Sequence, residues 1–270
     1  PMPSLAVTIN AASCSQTDVE TAITASVNGD TVAIPAGSCT WTTVVTVAKA
    51  ITVQGVSCTL NGSGIPTSCG TIITRGGADD GHHLLDVDLV AGLTTRVAHM
   101  DFRNSTNTYA NNIQVTGWQT TAEPDNRRIR IDHCRFYRLV GVGIHAFKGV
   151  YGVINHNYWD VQSTGVYYYI PADYDFINKA WNAATNWGTD KFLFIEDNQI
   201  EDNVGSVHRA FTDGYGGSRF VARYNNIADA YWEFHGTESG WRGTHATEVY
   251  KNTMTGIDAG SQIIIVRSGP

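Results

Sequence analysis

Four side chains with acid–base chemistry recur along the second half of the chain: His145, Tyr167, His208 and His235. His208 and His235 each stand ten residues after an asparagine, Asn198 and Asn225, and each follows an apolar residue, Val207 and Phe234. Tyr167 stands ten residues after Asn157 and follows Val166, and His145 stands eleven after Cys134 and follows Ile144. In stacked strands the first residue of each pair points inward and the second outward, so the four are expected to form one column on an outer face. Imidazole and phenol groups in a line could move protons along an extended substrate. The alternative is a ladder of surface aromatic rings without chemistry.

Charges gather beside this column. Lys148, Arg209, Arg219, Arg223 and Arg242 fall in or near the same segments, although the net charge is −7. Such cations suit an anionic sugar. Asp213, Glu233, Glu238 and Glu248 accompany them, and Trp232 and Trp241 offer flat faces on which sugar rings pack. β-Elimination on a uronic acid needs its carboxylate neutralised, a base and an acid. Hydrolysis needs two carboxylates instead. Histidines and arginines outnumber obvious carboxylate pairs, which favours elimination with His208 as base, Arg209 adjacent, Asp213 to orient it and His235 as proton donor. Asp213 with Glu238 keeps a hydrolase open, and a non-catalytic carbohydrate-binding or adhesive solenoid is a third reading.

The elements that must hold this column are visible as a repeat. RVAHMDF (96–102), RIDHCRF (130–136), VINHNYW (153–159), FIEDNQI (194–200), ARYNNI (222–227) and EVYKNTM (248–254) share one pattern. Anchored at Met100, Cys134, Asn157, Asn198, Asn225 and Asn252, they are spaced by 34, 23, 41, 27 and 27 residues, the lengths of solenoid coils. Three residues before each anchor stands Val97, Ile131, Ile154, Ile195, Ala222 or Val249, while two before it Asp132, Asn155, Glu196 and Arg223 are polar. That is a strand with one buried face. An inward asparagine in each coil can donate to and accept from its neighbours, so a ladder is expected from Asn157 onward.

With this pattern the chain resembles the right-handed parallel β-helix of the pectate-lyase-like superfamily. The segment DVETAITASVNGDTVAIPAGSCTW (18–41) also looks like the opening of its secreted members, where a short helix covers the first coil. Residues 18–27 are expected as that helix, with Thr17 and Glu20 as a capping box, Val19, Ile23 and Val27 as its apolar stripe and Asn28-Gly29 as the stop. The fold class is therefore all-β, one parallel β-helix over 1–270 of about eight to ten coils. The resemblance implies a substrate groove along the proposed column, with a polysaccharide as substrate. Neither the Pro-x-x-Arg phrase of pectate lyases, nor the aspartates of polygalacturonases, nor the motifs of pectin methylesterases are found.

Charged residues make up only 16%, below the roughly 25% usual for soluble domains. Acidity points away from nucleic acid, no apolar run is long enough to span a membrane, and an exported protein is expected, extracellular or periplasmic. Cys14 with Cys39 and Cys58 with Cys69 each bracket a local loop and are expected to pair in an oxidising compartment, leaving Cys134 buried and free; the alternative is five reduced thiols in a cytosolic protein. No cofactor is singled out with certainty by the residues. Calcium is the candidate metal, with Glu196, Asp197, Glu201 and Asp202 as donors, and His82, His83, Asp86 and Asp88 are a weaker metal set. The aromatic stretch 166–190 supplies the extra length of the longest interval and is a candidate groove wall. The last strand, QIIIVRSGP (262–270), has no cap, so further chain or self-association is expected to cover it.

Overall fold

The computed structural model describes residues 5–76, 83–104, 112–117, 127–169, 181–202, 209–236, 243–256 and 263–266. The chain winds through three parallel sheets, one strand to each per coil. Among the described residues, sheet A has nine strands from Thr8–Asn10 to Ala246–Tyr250, sheet B eight from Gly37–Trp41 to Thr253–Thr255, and sheet C eight from Val45–Val47 to Ile264–Val266. Each strand pairs with its counterparts in the coils before and after, as Ile131↔Ile154 and Ile195↔Ala222 show. The number of coils matches the expectation from the repeat.

Two residues connect sheet A to sheet B in each of the six repeats. The first is left-handed in every case: His99, His133, His156, Asp197, Tyr224 and Lys251 have φ of 57°, 53°, 53°, 54°, 59° and 54°. The second is the anchor, turned inward. Asn157 Nδ2 donates to Asn198 Oδ1 at 3.0 Å, Asn198 Nδ2 to Asn225 Oδ1 at 2.9 Å and Asn225 Nδ2 to Asn252 Oδ1 at 2.9 Å. The same oxygens accept the backbone N–H of the preceding anchor, and Asn157 Oδ1 likewise accepts from Cys134 N. Met100 and Cys134 fill the slot as buried apolar residues.

The core contains an aromatic stack that crosses from sheet B to sheet C. Phe102, Phe136 and Trp159 lie face to face, and Phe211 then stands edge-on between Trp159 and Trp232. Phe211 is the extra residue of a bulge between Ala210 and Thr212. It turns inward over Gly165, where a Cβ would sit 2.2 Å from its ring.

The N-terminal helix is Gln16–Ala25, starting two residues before the expected 18. Ser15, not Thr17, caps it, accepting from Asp18 N at 3.3 Å, while Ser15 N donates to Ser13 Oγ, which in turn donates to the Asp18 carboxylate, in place of the box expected from Thr17 and Glu20. Val19 and Ile23 are buried, but the helix ends before Val27, which is exposed. Cys14 is bonded to Cys39 and Cys58 to Cys69, and Cys134 is free and buried, its thiol pushed up to about 12 by that burial. No helix among the described residues is long and apolar enough to cross a membrane.

Candidate active site on sheet C

Sheet C places outward side chains in register. Asp86, Gln114, His145, Tyr167, Asp213 and Glu233 occupy one row across six neighbouring strands. Their strands alternate cleanly because the flanking residues, among them Leu85, Ile113, Ile144, Val166 and Trp232, fill the core.

His145 and Tyr167 are adjacent as expected, their rings stacked at 5.4 Å. His208 lies outside the described residues. Tyr167 is followed in its row by Asp213 and then Glu233, so His235 is not in that row but two residues further on. The equal 27-residue intervals are divided unequally: Asp213 stands fifteen residues after Asn198, Glu233 only eight after Asn225. Seven residues separate Glu201 from Arg209 on the way into sheet C in one coil, against one between Ala228 and Ala230 in the next, and the bulge adds one more. On the way out, four residues separate Gly214 from Arg219 against eleven between Phe234 and Ala246.

His235 nevertheless reaches the row. Its Nε2 lies 2.8 Å from Asp213 Oδ1 and 3.4 Å from Glu233 Oε1. Tyr215 stacks on its ring at 3.8 Å and meets Tyr167 edge-on at 6.0 Å. The backbone of His235 is held on both sides, its N–H donating to Gly214 O at 3.0 Å and its carbonyl accepting from Thr244 N at 2.9 Å. The side chains of His235 and Glu233 are 4% and 5% exposed, that of Asp213 21%, so Asp213 is the member of the trio that faces solvent. A cavity of about 470 Å³ opens beside His235, with Trp181, Phe234, His245 and Ile264 in its walls. Burial, helped by the charge of His83, pushes His145 down to about 4.

The remaining expected site residues divide by place. Arg209 begins the strand that carries Asp213, and Lys148 follows His145's strand with its ammonium over the Phe147 ring. Arg219 does not belong to this face: it starts a sheet A strand, buried, with Nη1 donating to Tyr151 Oη at 3.1 Å. Trp232 is no stacking platform, because it points inward and is fully buried in the aromatic stack. Glu238, Trp241 and Arg242 lie outside the described residues. Of the aromatic stretch, Val166–Tyr169 is itself a sheet C strand, whereas Trp187 and Asp190 lie by sheet A, packed on Phe192 and paired with Arg128, and among its described residues Trp181 lines the cavity beside His235.

The acids expected to hold calcium do not converge. Glu196 is on sheet A, bound by Arg223 Nε at 2.6 Å, while Glu201 is on sheet B, accepting from Tyr158 Oη at 2.8 Å. Of the weaker metal set, His83 Nε2 and Asp86 Oδ1 are 4.0 Å apart and His82 is outside the described residues. His99, Asp132 and His133 gather at an A–B turn, but Asp132 already binds Arg96, Arg130 and His133. Glu233 and Tyr215 are the members that sequence reasoning left out of the site. Glu233 was recognisable only as an acid near the column, and Tyr215, just past the strand that carries Asp213, has no counterpart in the repeat that would have singled it out.

The sequence matches no protein-family model and no curated protein sequence. Solved structures do match. An alginate lyase from Paenibacillus sp. FPU-7 superposes with a TM-score of 0.52 at 13% identity, over 97% of this chain and 98% of that one. A pectin methylesterase in complex with a hexasaccharide gives 0.52 at 13%, over 98% and 93%. ORF18 of Geobacillus virus E2 gives 0.51 at 14%, over 92% of this chain and 48% of that one, so the chain spans about half of that protein's length. By architecture, then, the chain is a right-handed parallel β-helix, the fold it shares with that alginate lyase and that pectin methylesterase.

Proposed function

We propose that the chain is an exported enzyme that cleaves an acidic, uronic-acid-containing polysaccharide by β-elimination on the outer face of sheet C. The observation that carries this reading is the 2.8 Å contact between His235 Nε2 and Asp213, one coil from Tyr167 in the same row. Asp213 is the open carboxylate, and His235 behind it shares whatever proton it takes. The C5 proton of the uronate passes to this pair, the C4–O4 bond breaks with its electrons leaving on O4, a C4–C5 double bond forms, and Tyr167 Oη protonates O4. Lys148, just after the strand of His145, and Arg209, at the start of the strand of Asp213, are the basic residues we assign to offset the uronate charge. His208, next to Arg209, stays a candidate second base. Neighbours named for alginate and pectin, and two disulfides of the kind kept in oxidising compartments, support the substrate class and export.

A hydrolase is the second reading, favoured by Asp213 and Glu233 standing in register on adjacent coils. The near-complete enclosure of Glu233 argues against it, since both carboxylates must reach the scissile bond. Incubation with a panel of uronic-acid polysaccharides, with calcium or with a chelator, separates the readings. Elimination is expected to raise the ultraviolet absorbance of unsaturated ends, and Asp213→Asn or Tyr167→Phe to lower the rate by about 10² to 10⁴. New reducing ends without absorbance would make the protein a hydrolase, and no product from any polymer would leave it a binding protein.

A further inference from the structure

The outer face of sheet A, around the corner from the candidate active site, carries a second built surface. Phe194, Val221 and Glu248 form one row across three adjacent strands, and Glu196, Arg223 and Tyr250 the next. The segment Gly188–Asp190 overhangs them, pinned by the 2.8 Å bond from Arg128 to Asp190, and closes a groove of about 340 Å³. That volume lies at the small end of the range for ligand pockets, about 300–1,000 Å³.

Its chemistry selects an occupant. Arg223 sits at the centre with its guanidinium 5.1 Å from the Phe194 ring, held there by Glu196 and by Tyr250 Oη at 3.0 Å. The Phe194 face is thus already occupied by one cation, and a cationic ligand would be repelled. Glu248 and Asp190 on the rim oppose an anion. A purely apolar ligand would desolvate those carboxylates without giving them hydrogen bonds. A neutral polyol satisfies all three conditions: its C–H face packs on Tyr250, and its hydroxyls donate to Glu248 and Asp190. Two further rings continue the surface, Tyr224 at 45% and Trp187 at 51% exposure, as an extended ligand longer than the groove would need.

We infer that the groove over Phe194, Arg223, Glu248 and Tyr250 binds a segment of uncharged saccharide, distinct from the face that carries Asp213 and His235. The site would hold the protein on a neutral glycan while sheet C works on its own substrate, and it stands or falls independently of the chemistry there.

Titration calorimetry with cello- and manno-oligosaccharides, and with uronate oligosaccharides as controls, tests it. Binding of a neutral oligosaccharide is expected in wild type and in His235→Ala alike. Tyr250→Ala and Glu248→Ala should weaken it at least about tenfold, equivalent to about 1.4 kcal/mol. Glu248→Gln should keep most of the affinity, since an amide still hydrogen-bonds to hydroxyls. Absence of neutral-sugar binding, binding indifferent to Tyr250 and Glu248, binding lost in His235→Ala, or a preference for uronates in this groove would each overturn the inference.

Discussion

At His145 the environment decides the charge. The ring is enclosed beside Tyr167 and His83, and with the folded value near 4 it is neutral at the pH of any ordinary assay. A neutral ring does not offset a uronate charge, so in the proposed reaction that role falls to Lys148 and Arg209. The same burial has a cost in acid. Between an ordinary histidine value of about 6.5 and the folded value, the unfolded chain binds the extra proton and the folded one does not, so stability falls as pH drops through this window. The loss attributable to His145 is up to ~3 kcal/mol, at about 1.4 kcal/mol per unit. Urea midpoints compared near neutrality and near pH 4.5 should show it, and His145→Gln should flatten that part of the profile. The identity of His145 and Tyr167 as outward neighbours was legible in the sequence, because an apolar residue preceded each at nearly the same offset from its anchor. The partnership of Asp213, Glu233 and His235 was not, because it depends on how two coils of equal length are divided among their turns.

The A–B corner is the element that makes all coils alike. A left-handed residue and an inward anchor recur six times, and the asparagine pattern announced the second of these but not the first, since His, Asp, Tyr and Lys share no obvious preference for positive φ beyond that of aspartate and histidine. Asn198 has the richest set of bonds on the ladder. Its Oδ1 accepts from Asn157 N and Nδ2, and its Nδ2 donates to Ile154 O, Glu196 O and Asn225 Oδ1. Each buried group left without a partner costs about 1–3 kcal/mol. Asn198→Ala should thus destabilise the protein by several such increments, whereas Asn252→Ala, at the end of the file, should cost less. Denaturant unfolding of the two variants checks the order. Sheet C lacks any equivalent ladder among the described residues. There the connections from sheet B decide the count: seven residues separate Glu201 from Arg209 but one separates Ala228 from Ala230, and with the extra residue at the Phe211 bulge this displaces the acid–base row from where counting placed it.

Across the whole molecule the two ends of the stack are secured differently. Both disulfides fall within residues 14–69, tying the helix to the first coil and closing the hairpin Thr59–Ser68, while Ile264 and Val266 on the last described strand of sheet C are 45% and 73% exposed. Loops of this size, cross-linked before unfolding, stabilise their region by about 3 kcal/mol. In a stack where each coil touches only its neighbours, such a difference sets a direction. Amide exchange should be slowest around Thr31–Arg75 and fastest near Ala246–Val266, and reduction with a thiol should erase much of that gradient. Uniform exchange along the oxidised solenoid would contradict it. Asp213, Glu233 and His235 sit toward the end that unzips first. Heat should consequently silence the active face while most coils are still wound, and a temperature of half-inactivation would lie below the temperature at which the solenoid itself melts.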